Sequence, residues 1–153
     1  MQENYRNICR IARRAAGLTQ ERFAEALDVS VESIRLYETE RGMPSDDVVT
    51  RMIEISSLPV LGYWHLLNKS RIAADILPKL DEVPLPQAVI QLICRMREFA
   101  ARHSADTLMS IAEDGVIDDE ERPQFDAIVG ELSAIVKAAM QLRYATGGAE
   151  HDI

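Results

Sequence analysis

The side chains best suited to reading another molecule lie in residues 30–36, Ser-Val-Glu-Ser-Ile-Arg-Leu. The guanidinium of Arg35 matches the two hydrogen-bond acceptors on a guanine edge. Glu32 lies one helical turn earlier and could accept from cytosine, while Val31 or Leu36 could pack on a thymine methyl group. The alternative is that Arg35 and Glu32 are ordinary solvated side chains. Whether Arg35 and Glu32 can meet a base or are merely solvated depends on the secondary-structure element that carries them.

Residues 17–38 have the pattern of two short helices joined by a tight corner. Thr19 and Ser30 each precede a helix and are favoured N-cap residues, because their hydroxyl groups accept hydrogen bonds from free helix amides. Small Ala24 allows two helix backbones to approach closely, and Asp28 tolerates the left-handed backbone that a corner requires. Apolar residues at helical spacing face one small core, namely Phe23, Leu27, Val29, Ile34 and Tyr37. The pattern predicts a helix-turn-helix whose second helix lies in a DNA major groove.

The chain resembles the Cro and lambda-repressor type of helix-turn-helix, also called the XRE family, over roughly residues 5–68. The resemblance is carried, in order and at the family's spacing, by Gly17-Leu18-Thr19-Gln20, Ala24, Val29-Ser30, Ile34, Tyr37-Glu38 and Pro44-Ser45. It implies a compact five-helix DNA-binding bundle. Three positions depart from the family pattern: Asp28 stands where glycine is commonest, Glu40 replaces the usual glycine after the second helix, and Gly42 follows two residues later.

The resemblance places the exposed positions of the recognition helix against DNA bases and Gln20 against the DNA backbone. Free amides and the positive dipole end at the start of a helix favour such a phosphate contact. Arg41, just past the recognition helix, has a similar role through its charge alone. For Thr19, a plain N-cap is the simpler interpretation. The predicted DNA-binding residues are Thr19, Gln20, Ser30, Val31, Glu32, Ser33, Arg35, Leu36 and Arg41.

The resemblance also gives Arg13 and Glu38 a structural role. In related repressor domains an arginine of the first helix pairs with the glutamate that closes the recognition helix, and Arg13 and Glu38 are the matching positions here. Such a pair ties one helix to another and contributes fold specificity more than affinity. Both residues are therefore left out of the predicted DNA contacts.

The net charge of −8 has the wrong sign for a general nucleic-acid binder. Six of the eight excess negative charges lie in residues 69–153, however, and the first fourteen residues carry four arginines against one glutamate. A locally positive face on an acidic molecule is therefore compatible with this sequence. Such a face predicts binding through few phosphates and selectivity against bulk DNA.

Apolar residues at helical spacing predict five helices in the first part of the chain, at 4–16, 19–27, 30–39, 46–56 and 60–68. Pro78, Pro84 and Pro86 exclude a continuous helix from 70 to 86, with at most a helical turn around 71–75. Further helices are predicted over 86–103, over 104–113, and from between Asp119 and Pro123 to about Tyr144. We therefore predict an all-α protein with a helix-turn-helix DNA-binding domain at 1–69, a bridge at 70–86, a helical oligomerisation or partner-binding unit at 87–146 and a flexible tail at 147–153.

Cysteine usage and hydropathy indicate a cytoplasmic protein. Cys9 and Cys94 lie on separate amphipathic stretches with no cysteine or histidine at ligand spacing. We expect buried or half-buried thiols in a reducing compartment, with a disulfide as the lesser alternative. No apolar run reaches the roughly 20 residues that a membrane span needs.

Residues 113–121 are rich in acidic groups and suggest a calcium loop at first sight. With Gly115 at the sixth loop position, however, the third ligand would be Ala112, and alanine cannot chelate. A turn, a buried Ile117 and an Asp118 cap for the next helix explain the segment better. The three histidines lack metal-ligand spacing and no catalytic constellation is recognisable. Neither a metal, a cofactor nor an enzyme is predicted.

Together these features predict a sequence-specific transcriptional regulator of bacterial or prophage type, most simply a repressor. One helix-turn-helix buries little DNA surface, so we expect a homodimer on a palindromic operator. The last helix has more apolar surface than two short partners can cover, which makes the second unit the expected dimerisation surface. The alternative is a protein-interaction adaptor or antitoxin-like module whose acidic C-terminal unit captures a protein partner.

Overall fold

The structure is a computed structural model that describes residues 7–145, and every regular element in that range is a helix. The chain divides into two compact units, Met1–Leu77 and Pro78–Ile153. The first contains α1 (Ile8–Ala15), α2 (Gln20–Leu27), α3 (Val31–Glu38), α4 (Asp46–Ser56), α5 (Val60–Lys69) and α6 (Arg71–Ile76). The second contains α7 (Leu85–Ala101), α8 (Ser104–Ile111) and α9 (Arg122–Arg143). The predicted all-α fold is confirmed, while the predicted helix start at residues 4–6 and flexible tail at 147–153 lie outside the described residues.

Side-chain caps determine where α2, α3 and α4 begin. The hydroxyl oxygens of Thr19, Ser30 and Ser45 each accept a hydrogen bond from the backbone N–H three residues on, at 3.3, 3.0 and 3.4 Å. Each bond satisfies one of the amides that lack a partner inside the helix. The N-cap roles predicted for Thr19 and Ser30 are confirmed.

The first three helices are each followed by one residue in a left-handed conformation. These residues are Gly17, Asp28 and Glu40, with φ of 65°, 54° and 61°. After α3, the N–H of Arg41 donates to the carbonyl of Leu36 at 2.9 Å, which closes a Schellman-type helix end. The left-handed backbone predicted for Asp28 is confirmed. Glu40 adopts the same conformation without being a glycine, at a steric cost of about 1–2 kcal/mol.

The core of the first unit forms where the apolar sides of α1 to α5 meet. α2 packs against α3, α4 packs against α1 and α2, and α5 packs against α1 and α4. The side chains enclosed there include Ile8, Phe23, Leu27, Ile34, Met52 and Leu61. Val29 and Tyr37, which were predicted to face the same core, are half-buried at its edge. Ala24 is buried, in keeping with close approach of the helices at the corner.

Part of the predicted bridge is helical and packs with the first unit. The Ser70 hydroxyl accepts from the N–H of Ala73 at 3.2 Å and so caps α6, which packs on α5. The division between the units falls between Leu77 and Pro78. α7 then begins at Leu85 with Pro86 in its first turn, where the missing proline N–H costs the helix no hydrogen bond.

In the second unit, α7 and α9 lie antiparallel, and α8 packs against both. Contacts at the two ends of α7 establish the direction. Arg102, just after α7, reaches Glu131 at 2.7 Å, whereas Asp81, just before α7, is reached by Lys137 at 3.0 Å. The buried apolar residues described in this unit are Ala88, Ile111, Ile128 and Ala138, so its core is thin. No described helix of either unit has the length and hydropathy to cross a membrane.

A row of large apolar side chains on each long helix remains exposed. The rows are Ile90, Ile93 and Met96 on α7, and Val129, Leu132 and Val136 on α9. With about 3.6 residues per turn, each row is rotated by roughly 120° about its helix axis from the side that packs in the core. The direction of this rotation is the same on both helices. In an antiparallel pair, rows displaced in this way open on the same side. We call these six residues the α7–α9 apolar face.

Two burial predictions for the second unit need correction. Cys94 is exposed on α7 and Ile117 is only half-buried, because the thin core covers neither side chain fully. Cys9 is buried as predicted, and burial raises the pKa of its thiol to about 12, so it stays neutral. Both cysteines are free. The Asp118 carboxylate accepts from the N–H of Glu121 at 2.9 Å, but this bond closes the turn before α9, which begins at Arg122 without a side-chain cap, so the predicted cap of that helix is wrong.

Candidate nucleic-acid interface

α3 buries one side in the core and presents the other outward. Ile34 is fully enclosed and anchors the helix. The exposed or half-buried residues of the helix include Val31, Glu32, Ser33, Arg35 and Leu36. These are the α3 residues predicted to meet DNA bases, and the structure brings them together on one outward surface.

Arg35 and Glu32 form an ion pair within this surface. Arg35 Nη1 lies 3.5 Å from Glu32 Oε2, and the side chains are 58% and 68% exposed. Water screens a pair this exposed, so it contributes about 0–1 kcal/mol. Breaking this ion pair, so that Arg35 could donate to a guanine edge, would therefore cost little free energy.

Ser30 and Ser33 stabilise the start of α3. The Ser30 hydroxyl accepts from the N–H of Ser33 at 3.0 Å, and the two hydroxyl oxygens share a hydrogen bond at 2.8 Å. These bonds give both residues a structural role. Contact of either serine with DNA stays a prediction.

The N-terminus of α2 already holds an anion. The backbone N–H of Glu21 and the hydroxyl of Thr19 donate to the Glu21 carboxylate, and these hydrogen bonds lower the pKa of that group. Arg35 and Arg13 lower it further through smaller charge interactions. A DNA phosphate approaching this helix end would therefore have to displace Glu21, a competitor that sequence reasoning did not identify.

The amide of Gln20 is directed toward α3. Its Nε2 donates to Oε2 of Glu38 at 2.8 Å. This structural role was missed from sequence, where Gln20 was predicted only to touch a phosphate. An amide nitrogen carries two hydrogens, so the Gln20 amide can donate one hydrogen bond to Glu38 and another to a phosphate. The phosphate contact stays a prediction.

Glu38 is the point at which α1, α2 and α3 are joined. The residue is 6% exposed, and its carboxylate accepts from Arg13 Nε at 2.6 Å and Arg13 Nη2 at 3.2 Å, in addition to Gln20. Two parallel hydrogen bonds between a guanidinium and a carboxylate give strength and fixed geometry. The predicted pairing of Arg13 with Glu38 is confirmed.

The carbonyl end of α3 is also held by α1. Asn7 Nδ2 and Arg10 Nη2 donate to the Glu38 carbonyl at 2.8 and 2.9 Å. Arg13 Nη1 donates to the Leu18 carbonyl at 3.1 Å, which ties down the loop before α2. Cationic groups are favourable at a helix C-terminus because the carbonyl ends carry partial negative charge. The roles of Asn7 and Arg10 follow from contacts about 30 residues apart, for which the sequence offers no local signal.

The pKa of Glu38 reflects these contacts. Burial raises it, but hydrogen bonds from Arg13 and Gln20 and the positive charges of Arg13 and Arg10 outweigh burial, so it lies below the usual value of 4.5. The carboxyl group is therefore more acidic in the folded protein than in the unfolded chain. Its contribution to stability is present above about pH 4.5 and is lost as the pH falls through the folded-state pKa.

Comparison with known proteins agrees with this geometry. A family model described as a helix-turn-helix matches residues 10–55, which extend from α1 into α4. Residues 10–55 thus form a helix-turn-helix of the Cro and lambda-repressor type, a class of DNA-binding transcriptional regulators. No curated protein and no solved structure matches the chain significantly.

Replacing Glu38 with Gln preserves the side-chain shape but leaves Arg13 part-buried without its counter-ion. We expect Glu38→Gln to lower the free energy of unfolding of the first unit by about 2–4 kcal/mol at pH 7. Urea denaturation followed by the fluorescence of Trp64, the single tryptophan and a buried residue of α5, measures this directly. The exposed Glu54→Gln control should change stability by less than about 0.5 kcal/mol. The difference between wild type and Glu38→Gln should shrink below pH 4.5, and equal stability at pH 7 would refute the structural role.

Removing the anion at the start of α2 should favour a DNA phosphate there. We expect Glu21→Gln to tighten binding to duplex DNA about two- to fivefold at low salt, because the helix end no longer repels the backbone. The effect should diminish as salt is raised. Binding is measured by fluorescence-anisotropy titration. The control is Glu113→Gln, which also removes one negative charge, at an exposed position of the second unit. Unchanged or weaker binding of Glu21→Gln would show that no phosphate approaches this end.

Proposed function

We propose that this DNA-binding regulator is a repressor that recognises a palindromic operator as a homodimer. The observation that carries the proposal is the outward surface of α3, where Arg35 and Glu32 lie on a helix fixed to α1 and α2 through Glu38. A helix held at its inner side and polar on its outer side is suited to a major groove.

In the proposed complex, α3 lies in the major groove and Arg35 donates to the two acceptors of a guanine. Val31 and Leu36 provide apolar surface for a thymine methyl group, and Glu32 either accepts from cytosine or repels wrong sites. The serines at the start of α3 and Thr19 lie at the edge of the groove. Gln20 and Arg41 contact phosphates, which position the protein without reading sequence.

Few phosphate contacts are proposed, because most basic side chains around α2 and α3 already have acidic or carbonyl partners. Arg22 pairs with Glu25 at 3.0 Å. Arg51 donates to the Leu27 carbonyl at 2.7 Å, close to the corner. Each phosphate contact makes the fall of log affinity with log salt concentration steeper by about 0.9. A shallow salt dependence and weak binding to bulk DNA follow from this arrangement.

The proposed dimer contact is the α7–α9 apolar face, packed against its copy around a two-fold axis. Ile90 and Val136 within this face are 61% and 53% exposed in the single chain, which is costly for large apolar groups in water. Val129, Leu132 and Val136 repeat at intervals of three and four residues, the spacing of helices that pack side by side. Two antiparallel pairs would then form a four-helix bundle.

The adaptor or antitoxin-like alternative makes a different prediction about DNA. For the regulator, we expect a mobility-shift titration against a pool of random duplexes to retain a small, sequence-selected fraction at micromolar protein, with binding weaker at higher salt. Full-length protein at two salt concentrations provides the comparison. Failure to retard any duplex at micromolar protein would support the adaptor and contradict the regulator.

Arg35 is the residue expected to read a base. Arg35→Ala should weaken operator binding by about 1–3 kcal/mol and relax preference at one base pair. The matched variant Arg41→Ala, at a predicted phosphate contact, should weaken all sequences alike and lower the salt slope by about 1. Titration of a single-substitution operator series distinguishes the two. If Arg35→Ala weakens every sequence equally, Arg35 contacts only the backbone.

The dimer contact is tested by placing a charge in the apolar face. Full-length protein should sediment as a dimer at micromolar concentration, and Val136→Asp should raise the dimer dissociation constant at least tenfold, about 1.4 kcal/mol. Val116→Asp, equally exposed but outside the α7–α9 apolar face, is the control and should remain dimeric. Because Val136 is exposed in the single chain, its replacement should leave the helix content unchanged. A wild-type monomer at high micromolar concentration would contradict the dimer.

A further inference from the structure

A groove of about 710 Å³ lies in the first unit between α4, α5 and the start of α6. Small-molecule sites typically occupy about 300–1,000 Å³ and combine apolar walls with a few polar groups. The walls of this groove include Val49, Ile53, Leu66 and Ile72. None of its lining residues belongs to α3 or to the predicted DNA contacts.

One end of the groove is polar and is organised around Asp46. His65, which is 6% exposed, places Nε2 at 2.8 Å from Asp46 Oδ1, and Lys69 Nζ donates to the same oxygen at 2.6 Å. Hydrogen bonds from Lys69 and then from His65 lower the pKa of Asp46, so it is ionised at neutral pH. One carboxylate thus faces two basic groups at this end.

Arg71 adds a further positive charge to the same end. It lines the groove, is exposed, and has no ion pair within the described part of the chain. Lys69 and Arg71 together outnumber the single negative charge of Asp46. The polar end therefore has an excess of positive charge next to apolar walls.

A glycine lies where α4 and α5 approach each other beside the groove. A Cβ placed on Gly62 would lie 3.2 Å from Cδ1 of Ile53, so any side chain there would press on the opposite wall. The absence of a side chain at Gly62 therefore allows α4 and α5 to approach closely beside the groove, which Leu66 and Ile72 also line.

We propose that this groove binds a small amphipathic anion, whose aliphatic part lies along Ile53, Leu66 and Ile72 and whose carboxylate is held by Arg71 and Lys69. Charge complementarity selects this occupant, because an aliphatic cation would meet Arg71 and Lys69, and a neutral chain would leave Arg71 without a counter-ion. The site adds ligand binding to the DNA-binding unit through residues that take no part in the proposed DNA contact.

Octanoate serves as the probe, and full-length protein is titrated calorimetrically at low salt. Octan-1-ol and octylammonium, with the same aliphatic chain, are the comparators. We expect saturable, one-to-one binding of octanoate, and binding at least about fivefold weaker for both comparators. Equal binding of all three would overturn the proposal, since it would reveal only an apolar surface. Lack of saturable octanoate binding below roughly 10 mM would overturn it too.

Two variants assign the binding to this groove. Arg71→Gln should weaken octanoate about three- to fivefold without changing octan-1-ol, because only the charge contact is lost. Lys79→Gln, an exposed change of equal charge outside the groove, is the control. Thr50→Phe fills the groove from an exposed position of α4, and it should abolish octanoate binding while circular dichroism confirms folding. Wild-type affinity in Arg71→Gln or in folded Thr50→Phe would overturn the proposal. DNA binding is measured separately, so the two proposals fail independently.

Discussion

The arrangement of the first unit depends on one buried carboxylate. Glu38 receives two hydrogen bonds from Arg13 and one from Gln20, while its own carbonyl accepts from Asn7 and Arg10. A buried charge without partners is strongly unfavourable, so these contacts have to form together. They fix the end of α3 against α1 and α2. The position of every outward side chain on α3 follows from that constraint.

Local features of this unit could be predicted from the sequence, because short-range backbone chemistry determines them. Thr19 and Ser30 are caps since helix ends need acceptors, and Asp28 marks the corner since a left-handed residue is required there. The Arg13 and Glu38 pair came from family resemblance. The bond from Gln20 to Glu38 was missed, because it joins residues 18 positions apart and depends on rotamers that spacing does not specify.

The burial of side chains in the second unit could not be predicted fully from the sequence. Helical periodicity identifies which side of a helix is apolar, but it does not say whether another element covers that side. Cys94 and Ile117 were predicted to be more buried than they are, because α7, α8 and α9 enclose only a thin core. Asp118 was predicted to cap the next helix, but its carboxylate closes the turn before α9 instead, because that helix begins only at Arg122. The same thin core leaves the α7–α9 apolar face exposed, which supports a role in self-association.

Selection of binding sites from a random-sequence DNA library tests dimeric, sequence-specific DNA binding most directly, because it makes no assumption about the operator. Full-length protein is mixed with the library, and bound duplexes are recovered and sequenced over several rounds. A dimeric regulator should enrich an inverted repeat whose half-sites are separated by about 10 base pairs or a multiple of it. Sequences that remain random after selection, or a single asymmetric site without a repeat, would contradict a dimeric, sequence-specific regulator.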